Sequence, residues 1–200
     1  MKRLILASNN RRKMQELQAI LADTGIEVIS QQDAGCRFEV EETGSTFEEN
    51  AYLKAIAVTK ATGEAAVADD SGLCVDHLDG APGLYSARFT GNHDDSDEAK
   101  NAFLLSKMEG AEDRSAKFVS AVCCTFPNGD TLYARGECPG SILTSPRGNG
   151  GFGYDPVFQP EGYAQSMAEL GTEVKNQISH RARALAEFKK ELREYNAAHK

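Results

Sequence analysis

The sequence predicts an α/β protein built on a parallel or mixed sheet. Two short apolar runs, at residues 3–7 and 26–29, flank a segment in which apolar residues fall at helical spacing. A strand, a helix and a second strand in this order form the unit from which parallel and mixed sheets are assembled. A capping box and a hairpin pattern further along add helices and paired strands. At 200 residues the chain is expected to form a single domain, residues 1–200.

The first half of the chain is divided by glycines and helix caps. Met14, Leu17, Ile20 and Leu21 predict a helix that ends at Gly25, a typical C-cap residue. The acidic stretch at residues 39–44 predicts the end of a strand followed by a loop.

Two capping patterns predict the next helices. Thr46 followed by Glu49 is a capping box, and the helix behind it should end at Gly63. The stretch Asp95–Glu98 predicts a second helix, which ends near Met108.

The segment Ala65–Leu73 lies between these helices and carries adjacent acids. It begins as a small apolar run, typical of a buried strand, and continues as Asp69-Asp70-Ser71-Gly72. We expect the strand to end at the acids, the glycine to turn the chain, and a new strand to cover residues 73–78. Carboxylates at the end of a strand are a common source of metal ligands in α/β proteins, and an ordinary turn is the alternative.

The second half is predicted to hold a hairpin, a glycine-rich loop and a last helix. Residues 117–126 and 131–136 flank an Asn-Gly pair, which is typical of a β-hairpin. Pro139–Gly153 is rich in glycine, so it predicts a loop that is mobile or that brings backbone close to a ligand. Ser179 is expected to cap a helix that runs to about His199.

Composition excludes several classes of protein. The formal net charge of −8 argues against a nucleic-acid-coating surface, so no nucleic-acid partner is expected. The five cysteines include no Cys-x-x-Cys pair, which favours reduced thiols in a cytoplasmic protein. No apolar run approaches the ~18 residues of a membrane span, and the run behind Met1 is too short for a signal peptide. We therefore expect no membrane association.

Several segments suit a phosphorylated ligand. Ser8–Lys13 separates a strand from a helix, where backbone amides and a lysine attract anions. Glu41-Glu42 and Asp69-Asp70 offer carboxylates, of which Mg²⁺ usually takes one or two beside phosphate and water. Aromatics flanked by glycines in Gly150–Pro156 can stack on a nucleobase, and cations in Lys175–Arg181 sit at a helix start, where an anionic or oxygen-rich ligand would explain them. Purely structural explanations also exist: an ordinary helix cap for residues 8–13, solvated turns for the paired acids, and aromatic rings that pack against the core for residues 150–156.

Six motifs occur in order and at characteristic spacing. They are Ser-Asn-Asn-x-x-Lys-x-x-Glu-Leu, Glu-Glu-Thr-Gly-x-Thr-Phe-x-Glu-Asn-Ala, Ala-Asp-Asp-Ser-Gly-Leu, Gly-Ala-Pro-Gly-x-Tyr-Ser-Ala-Arg, Gly-Gly-Phe-Gly-Tyr-Asp-Pro-x-Phe and Ser-His-Arg. Together they resemble the inosine/xanthosine triphosphate pyrophosphatase family, also called the HAM1 family, from Lys2 to about Leu192. His77 and Asp79 stand where smaller or apolar residues are expected, outside the residues that the motifs share.

The resemblance implies a fold and an activity. The fold would be an elongated mixed β-sheet with flanking helices and two lobes around a nucleotide cleft. The activity would be hydrolysis of ITP, dITP and XTP to the monophosphate and pyrophosphate, which removes these deaminated nucleotides from the pool. Mg²⁺ would be the cofactor, and the working form would be a homodimer.

The resemblance also assigns roles to residues. Asp70 would be the proton acceptor and would bind the metal together with Glu41, with Glu42 one position away as the alternative. The implied substrate-binding residues are Ser8, Asn9, Asn10, Lys13, Ser71, Phe152, Gly153, Tyr154, Asp155, Lys175, His180 and Arg181.

Two other functions stay open at this stage. A Maf-like pyrophosphatase shares the early Asn-x-x-Lys pattern and acts on other nucleotides, although the Phe-Gly-Tyr-Asp and Ser-His-Arg segments argue against it. A catalytically silent nucleotide-binding regulator is the second alternative, and the full set of acids and cations argues against that.

Overall fold

The structure, a computed structural model, describes residues 1–92 and 94–199. Its strands are β1 (Arg3–Leu6), β2 (Glu27–Ser30), β3 (Ala66–Val75), β4 (Ser115–Thr125), β5 (Thr131–Ile142) and β6 (Phe158–Pro160). Its helices are α1 (Arg11–Leu21), α2 (Phe47–Thr62), α3 (Asp97–Lys107), α4 (Thr172–Ile178) and α5 (His180–Ala198). Short 3₁₀ turns cover Asp76–Leu78, Gly83–Arg88 and Asp155–Val157. In this part of the chain no helix is both long enough and apolar enough to cross a bilayer.

The strands form one mixed sheet, as the sequence predicts. Their order is β2-β1-β3-β4-β5-β6. Strand β1 pairs in parallel with both β2 and β3, and β5 pairs antiparallel with β6. The predicted strand, helix, strand opening accounts for the β1–β2 pair, because parallel neighbours need a long crossover connection, here α1.

The chain divides into two compact units. Unit 1 comprises Met1–Asp70, Ser120–Gly136 and Ala184–Lys200, and unit 2 comprises Ser71–Val119 and Glu137–Arg183. The expectation of a single domain with two lobes around a nucleotide cleft stays a prediction.

Unit 1 has a separate apolar core on each face of its strands. On one face Leu6 and Val67 pack with buried residues of α1 and α5. On the other face Ile5, Ala66 and Ala68 pack with buried residues of α2. Successive side chains of β3 therefore face different helices, as the period of two in a strand requires.

Unit 2 has one core, in which aromatic rings pack against aliphatic side chains. Leu73 and Val75 of β3 lie there with Leu104 of α3. Phe118 and Phe158 meet edge to face, with ring centroids 4.6 Å apart. Phe158 is fully buried, so this pair ties β4 to β6.

The predicted caps are confirmed at α2 and α5, whereas α3 is capped by Ser96, one position after Asp95, with which the predicted capping box begins. Thr46 accepts a hydrogen bond from the Glu49 N–H at 3.1 Å, and Gly63 ends α2 in the left-handed conformation. Ser96 caps α3 in the same way, and Ser179 accepts from the Ala182 N–H at the start of α5. These hydroxyls satisfy amides that have no partner within their own helix.

Several local predictions are wrong. Strand β3 does not end at the acids but continues through Gly72 to Val75, and a 3₁₀ turn replaces the strand predicted over residues 76–78. Helix α1 ends at Leu21 with Ala22 as its C-cap, so Gly25, at φ +70°, belongs to the following turn.

Three further differences concern connections. Residues 39–44 contain no strand. The hairpin is confirmed, but β5 runs to Ile142 and so absorbs the start of the predicted glycine-rich loop. Helix α4 was not predicted, because its seven residues are too few to show a periodic pattern.

Candidate functional site

Asp69 and Lys13 form an ion pair on the α1 face of β3. The Lys13 Nζ lies 2.9 Å from the Asp69 Oδ2. Asp69 is only 4% exposed, whereas the Lys13 side chain is 28% exposed. The buried carboxylate therefore holds a lysine side chain that is still partly exposed, and the role of Lys13 in binding phosphate stays a prediction.

Asp70 lies on the α2 face and contacts two residues of that helix. The Asn50 Nδ2 donates to the Asp70 Oδ2 at 3.1 Å, and the Lys54 Nζ lies 3.7 Å from the Asp70 Oδ1. Lys54 also lies 2.6 Å from the Glu42 Oε1. Glu42 and Asp70 are thus linked through one ammonium, whereas Glu41 is exposed.

The donor set around Asp70 fits a hard divalent cation. In residues 1–92 and 94–199, no group of three or more His, Cys, Asp or Glu side chains is arranged to hold a metal ion by itself. Magnesium commonly needs only one or two protein carboxylates when substrate phosphate and water complete its shell. Glu42 and Asp70 both lie close to one cation, the Lys54 ammonium, so this pair of negative charges suits a bound Mg²⁺.

The Asn50 amide also joins Asp70 to the loop that precedes α2. The Asn50 Oδ1 accepts the Gly44 N–H at 2.8 Å. A Cβ on Gly44 would lie 2.7 Å from that oxygen, so the approach requires glycine. The loop that bears the two glutamates is therefore tied to the strand that bears Asp70.

The predicted phosphate loop is ordered by its own side chains. The Asn10 Oδ1 accepts from the N–H groups of Arg12 and Lys13, at 3.0 and 3.2 Å. The Ser8 Oγ accepts the Asn10 N–H at 3.1 Å, and Asn9 is exposed. Asn10 is thus the N-cap of α1, and it sets the position of Lys13 one turn into the helix.

The predicted base-binding segment of unit 2 is built around a buried ion pair. Asp155 and Lys175 are 4% and 8% exposed, and the Lys175 Nζ contacts the Asp155 Oδ2. The same carboxylate oxygen accepts the Phe152 N–H at 2.9 Å. The Lys175 ammonium lies 4.4 Å from the centre of the Phe152 ring, which is 55% exposed. This exposed ring is the surface in the segment that suits stacking on a base.

Tyr154 and His180 occupy more enclosed positions. Tyr154 is 5% exposed, its hydroxyl donates to the Ser86 carbonyl at 2.7 Å, and burial raises its pKa to about 12, with the Asp97 carboxylate adding to the effect. His180 stacks on Phe118, with centroids 4.9 Å apart and planes 15° from parallel. The substrate-binding roles of Tyr154 and His180 stay predictions.

The chain is similar to known proteins along almost its whole length. The model of the Ham1 family matches residues 4–191. The chain belongs to the Ham1 family. A curated relative from Exiguobacterium sp., named dITP/XTP pyrophosphatase, is 48% identical over 190 residues, which cover 95% of this chain and 96% of the relative. A relative of the same name from Geobacter sulfurreducens is 49% identical, with coverage of 96% and 97%.

Solved structures of Ham1 proteins agree with this fold. The Ham1 protein of Staphylococcus aureus superposes with a TM-score of 0.91 at 42% identity, over 97% of this chain and 100% of that one. A HAM1 protein from Coxiella burnetii gives the same TM-score and coverage at 39% identity. The predicted mixed sheet with flanking helices is therefore confirmed as the Ham1 fold.

In this Ham1 family member Lys13 of unit 1 pairs with Asp69, whereas the predicted acid Asp70 contacts Asn50 and Lys54. Unit 2 brings Phe152 to the Asp155–Lys175 pair. Ser71, the first residue of unit 2, is exposed on β3, and Arg181 is partly buried in the first turn of α5.

Sequence reasoning missed Asn50 and Lys54 as neighbours of Asp70. Asn50 stands in the Glu-Asn-Ala motif, but nothing in the pattern says what it contacts. Both residues lie on α2 four positions apart, a spacing that places them on one face. This pair of polar residues on one helix face was the only sign in the sequence of a contact with Asp70, and a solvated helix surface would show the same pattern.

Proposed function

We propose that this chain hydrolyses the deaminated purine nucleoside triphosphates dITP, ITP and XTP to the monophosphate and pyrophosphate. Family membership and the name shared by relatives 48–49% identical support the substrate class. The activity removes these nucleotides from the pool of polymerase substrates.

One structural observation carries the proposal. Two adjacent acids on β3 each contact a lysine from a different helix, Lys13 for Asp69 and Lys54 for Asp70. Neighbouring carboxylates and ammonium groups can bind a triphosphate and also accept a proton.

Asp70 is the proton acceptor in the proposed mechanism. A water molecule attacks the α-phosphorus, its proton passes to the Asp70 carboxylate, and the bond from the α-phosphorus to the bridging oxygen breaks. Asn50 donates to one Asp70 oxygen and so orients the carboxylate. Lys13 balances the negative charge that develops on the departing pyrophosphate.

Mg²⁺ is the proposed cofactor. Asp70 would hold it with Glu41 or Glu42, and the Lys54 link between Glu42 and Asp70 supports Glu42 as the second residue. When bound, the ion supplies charge neutralisation and Lewis acidity at the triphosphate.

Phe152 is the proposed platform for the base, with His180 and Arg181 as donors to the purine 6-oxo group. Adenine carries an amino donor at that position, so two donors would face each other in a buried site, which is costly. Guanine shares the 6-oxo group, so its rejection must depend on its 2-amino group. Ser8, Asn9, Asn10 and Ser71 complete the proposed substrate contacts.

A homodimer in the cytoplasm is the proposed working form. The five cysteines, four of them buried, suit a reducing compartment. A purine nucleoside triphosphate is the proposed small-molecule partner. Size-exclusion chromatography with light scattering tests the dimer.

The decisive experiment identifies the products. Purified protein with Mg²⁺ and ITP, dITP or XTP should release pyrophosphate and the monophosphate, while ATP and GTP react far more slowly. Chelation by EDTA should stop the reaction, and added Mg²⁺ should restore it. Release of orthophosphate, or equal turnover of ATP, would contradict the proposal, and turnover restricted to pyrimidine nucleotides would favour a Maf-like activity.

A further inference from the structure

The exposed ring of Phe152 stands on backbone that glycines make intrinsically flexible. Gly151 and Gly153 flank it, with φ of +77° and +60°. Glycine loses more conformational freedom than any other residue when a chain is ordered. A ring on such a loop stacks well on a base only if other contacts hold its backbone in one conformation.

Helix α3 supplies two of those contacts, both to Gly153. The Gly153 N–H donates to the Asp97 Oδ2 at 2.6 Å, and the Asn101 Nδ2 donates to the Gly153 carbonyl at 3.0 Å. Asp97 and Asn101 are four residues apart and so share one face of α3. The two peptide groups that flank Gly153 are therefore held from a single rigid helix.

Two further contacts complete the restraint on Phe152. Its N–H donates to the Asp155 Oδ2 at 2.9 Å, and its carbonyl accepts the Asp155 N–H at 3.2 Å. Four consecutive backbone polar groups, from the Phe152 N–H to the Gly153 carbonyl, are thus hydrogen-bonded, while the ring stays 55% exposed. Two carboxylates on separate elements, Asp97 and Asp155, accept the successive N–H groups.

The helix that carries this clamp is itself anchored. The Ser96 Oγ accepts the Ala99 N–H at 3.1 Å and so caps α3 just before Asp97. Asn101 is 3% exposed, and Leu104 on the same helix is fully buried. Motion of Gly153 relative to α3 would require the loss of a charged hydrogen bond and the exposure of a buried amide.

We propose that Asp97 and Asn101 are positioning residues that hold the Phe152 ring in the orientation required to stack on the purine base. The inference rests on the proposed function, since it takes Phe152 as the base platform. Neither residue belongs to the motifs that carry the family resemblance. Both act through the backbone of Gly153 and touch no reacting atom.

Steady-state kinetics with ITP test the clamp. Asp97→Ala and Asn101→Leu should each raise KM on the order of tenfold, the loss of one hydrogen bond to a charged or buried group, with kcat within about twofold. Asp97→Asn should recover most of the affinity, because an amide oxygen still accepts the Gly153 N–H. Glu98→Ala is the matched control, since Glu98 is an exposed acid in the same first turn of α3.

Inhibition by inorganic tripolyphosphate separates base positioning from general damage. This probe has no base, so its inhibition constant should stay unchanged in Asp97→Ala and Asn101→Leu. Asn101→Leu also removes a buried amide oxygen that has no hydrogen-bond partner among the described residues, which limits the cost to stability. An equal rise in KM for ITP and in the inhibition constant for tripolyphosphate would overturn the proposal, as would KM values equal to those of Glu98→Ala.

A fluorescent reporter tests the clamp independently of activity. The chain contains no tryptophan, so Phe152→Trp places a single one in the loop. Adding Asp97→Ala to this variant should lower the steady-state anisotropy of Trp emission, and adding Glu98→Ala should not. An unchanged anisotropy would overturn the clamp, whereas a wild-type protein that leaves ITP intact would overturn the proposed function alone.

Discussion

Asp69 and Asp70 allow a matched pair of substitutions, because they are neighbours in β3 with different surroundings. The Asp69 side chain is 4% exposed and pairs with Lys13, whereas the Asp70 side chain is 14% exposed and meets Asn50 and Lys54. Replacement of either by Asn removes one negative charge and keeps the size of the side chain. We expect Asp69→Asn to act mainly on stability and Asp70→Asn mainly on turnover.

The expected losses follow from burial and from the partners left behind. Removing one member of a buried ion pair costs about 3–5 kcal/mol. Because 28% of the Lys13 side chain is already exposed, Lys13 can turn to water, and we expect about 2 kcal/mol for Asp69→Asn, a fall in Tm of about 4–8 °C. Asp70→Asn leaves Lys54 paired with Glu42 at 2.6 Å, so its loss should be about 0.5 kcal/mol.

Calorimetry and turnover of ITP at saturating Mg²⁺ measure the two effects. Asp70→Asn should lower kcat by about 10²–10⁴-fold, the usual contribution of a general base, with a Tm close to that of the wild type. Asp69→Asn should keep kcat within about tenfold. Near-normal turnover by Asp70→Asn, or an unchanged Tm for Asp69→Asn, would refute the reasoning.

Three further predictions concern single contacts. Lys13→Ala should lower kcat/KM for ITP by on the order of 10²-fold while the circular dichroism spectrum stays unchanged, and an unaltered kcat/KM would make Lys13 a surface cation only. Gly151→Ala places a Cβ 2.1 Å from the Asp155 Oδ2 and should lower the free energy of unfolding, measured by urea titration, by about 3 kcal/mol or more. The Cβ of Gly153→Ala meets nothing within 4 Å, so this variant should lose only about 1–2 kcal/mol. Equal losses in the two variants would count against the contact with Asp155. The pKa of Tyr154 is raised from 10.0 to about 12, so its contribution to stability is complete below pH 10 and is lost as the pH rises to 12. Tyr154→Phe should therefore make the fall in Tm between pH 10 and 12 less steep. The same slope of Tm against pH in this variant and the wild type would contradict the prediction.

The sequence predicted those elements whose signal is local. Thr46 and Ser179 cap helices where their hydroxyls predicted, because a cap depends on the few residues that follow it. Short apolar runs were enough to predict β1 and β2, and apolar residues at helical spacing were enough to predict α1. Asn10 in the predicted phosphate loop and Asp155 in the predicted base-binding segment also hold the backbone beside them through their own side chains.

The errors lie where distant residues decide the local conformation. Asp, Ser and Gly favour a turn in isolation, yet β3 runs straight through Asp69–Gly72, because its strand partners and the buried Leu73 and Val75 hold it extended. The neighbours of Asp70 were missed for the same reason. Asn50 and Lys54 look like ordinary polar residues of a helix until α2 is packed on the strand.

Because β3 continues without a break through the acids, the partner of each carboxylate depends on its odd or even position along the strand. Odd and even positions face different helices, so Asp69 pairs with Lys13 of α1 whereas Asp70 contacts Asn50 of α2. Deleting one residue just upstream in β3 would turn each carboxylate to the opposite face of the strand. Thermodynamic coupling should therefore be stronger within the Lys13–Asp69 pair than between either of these residues and Asp70, so that each face can change independently of the other.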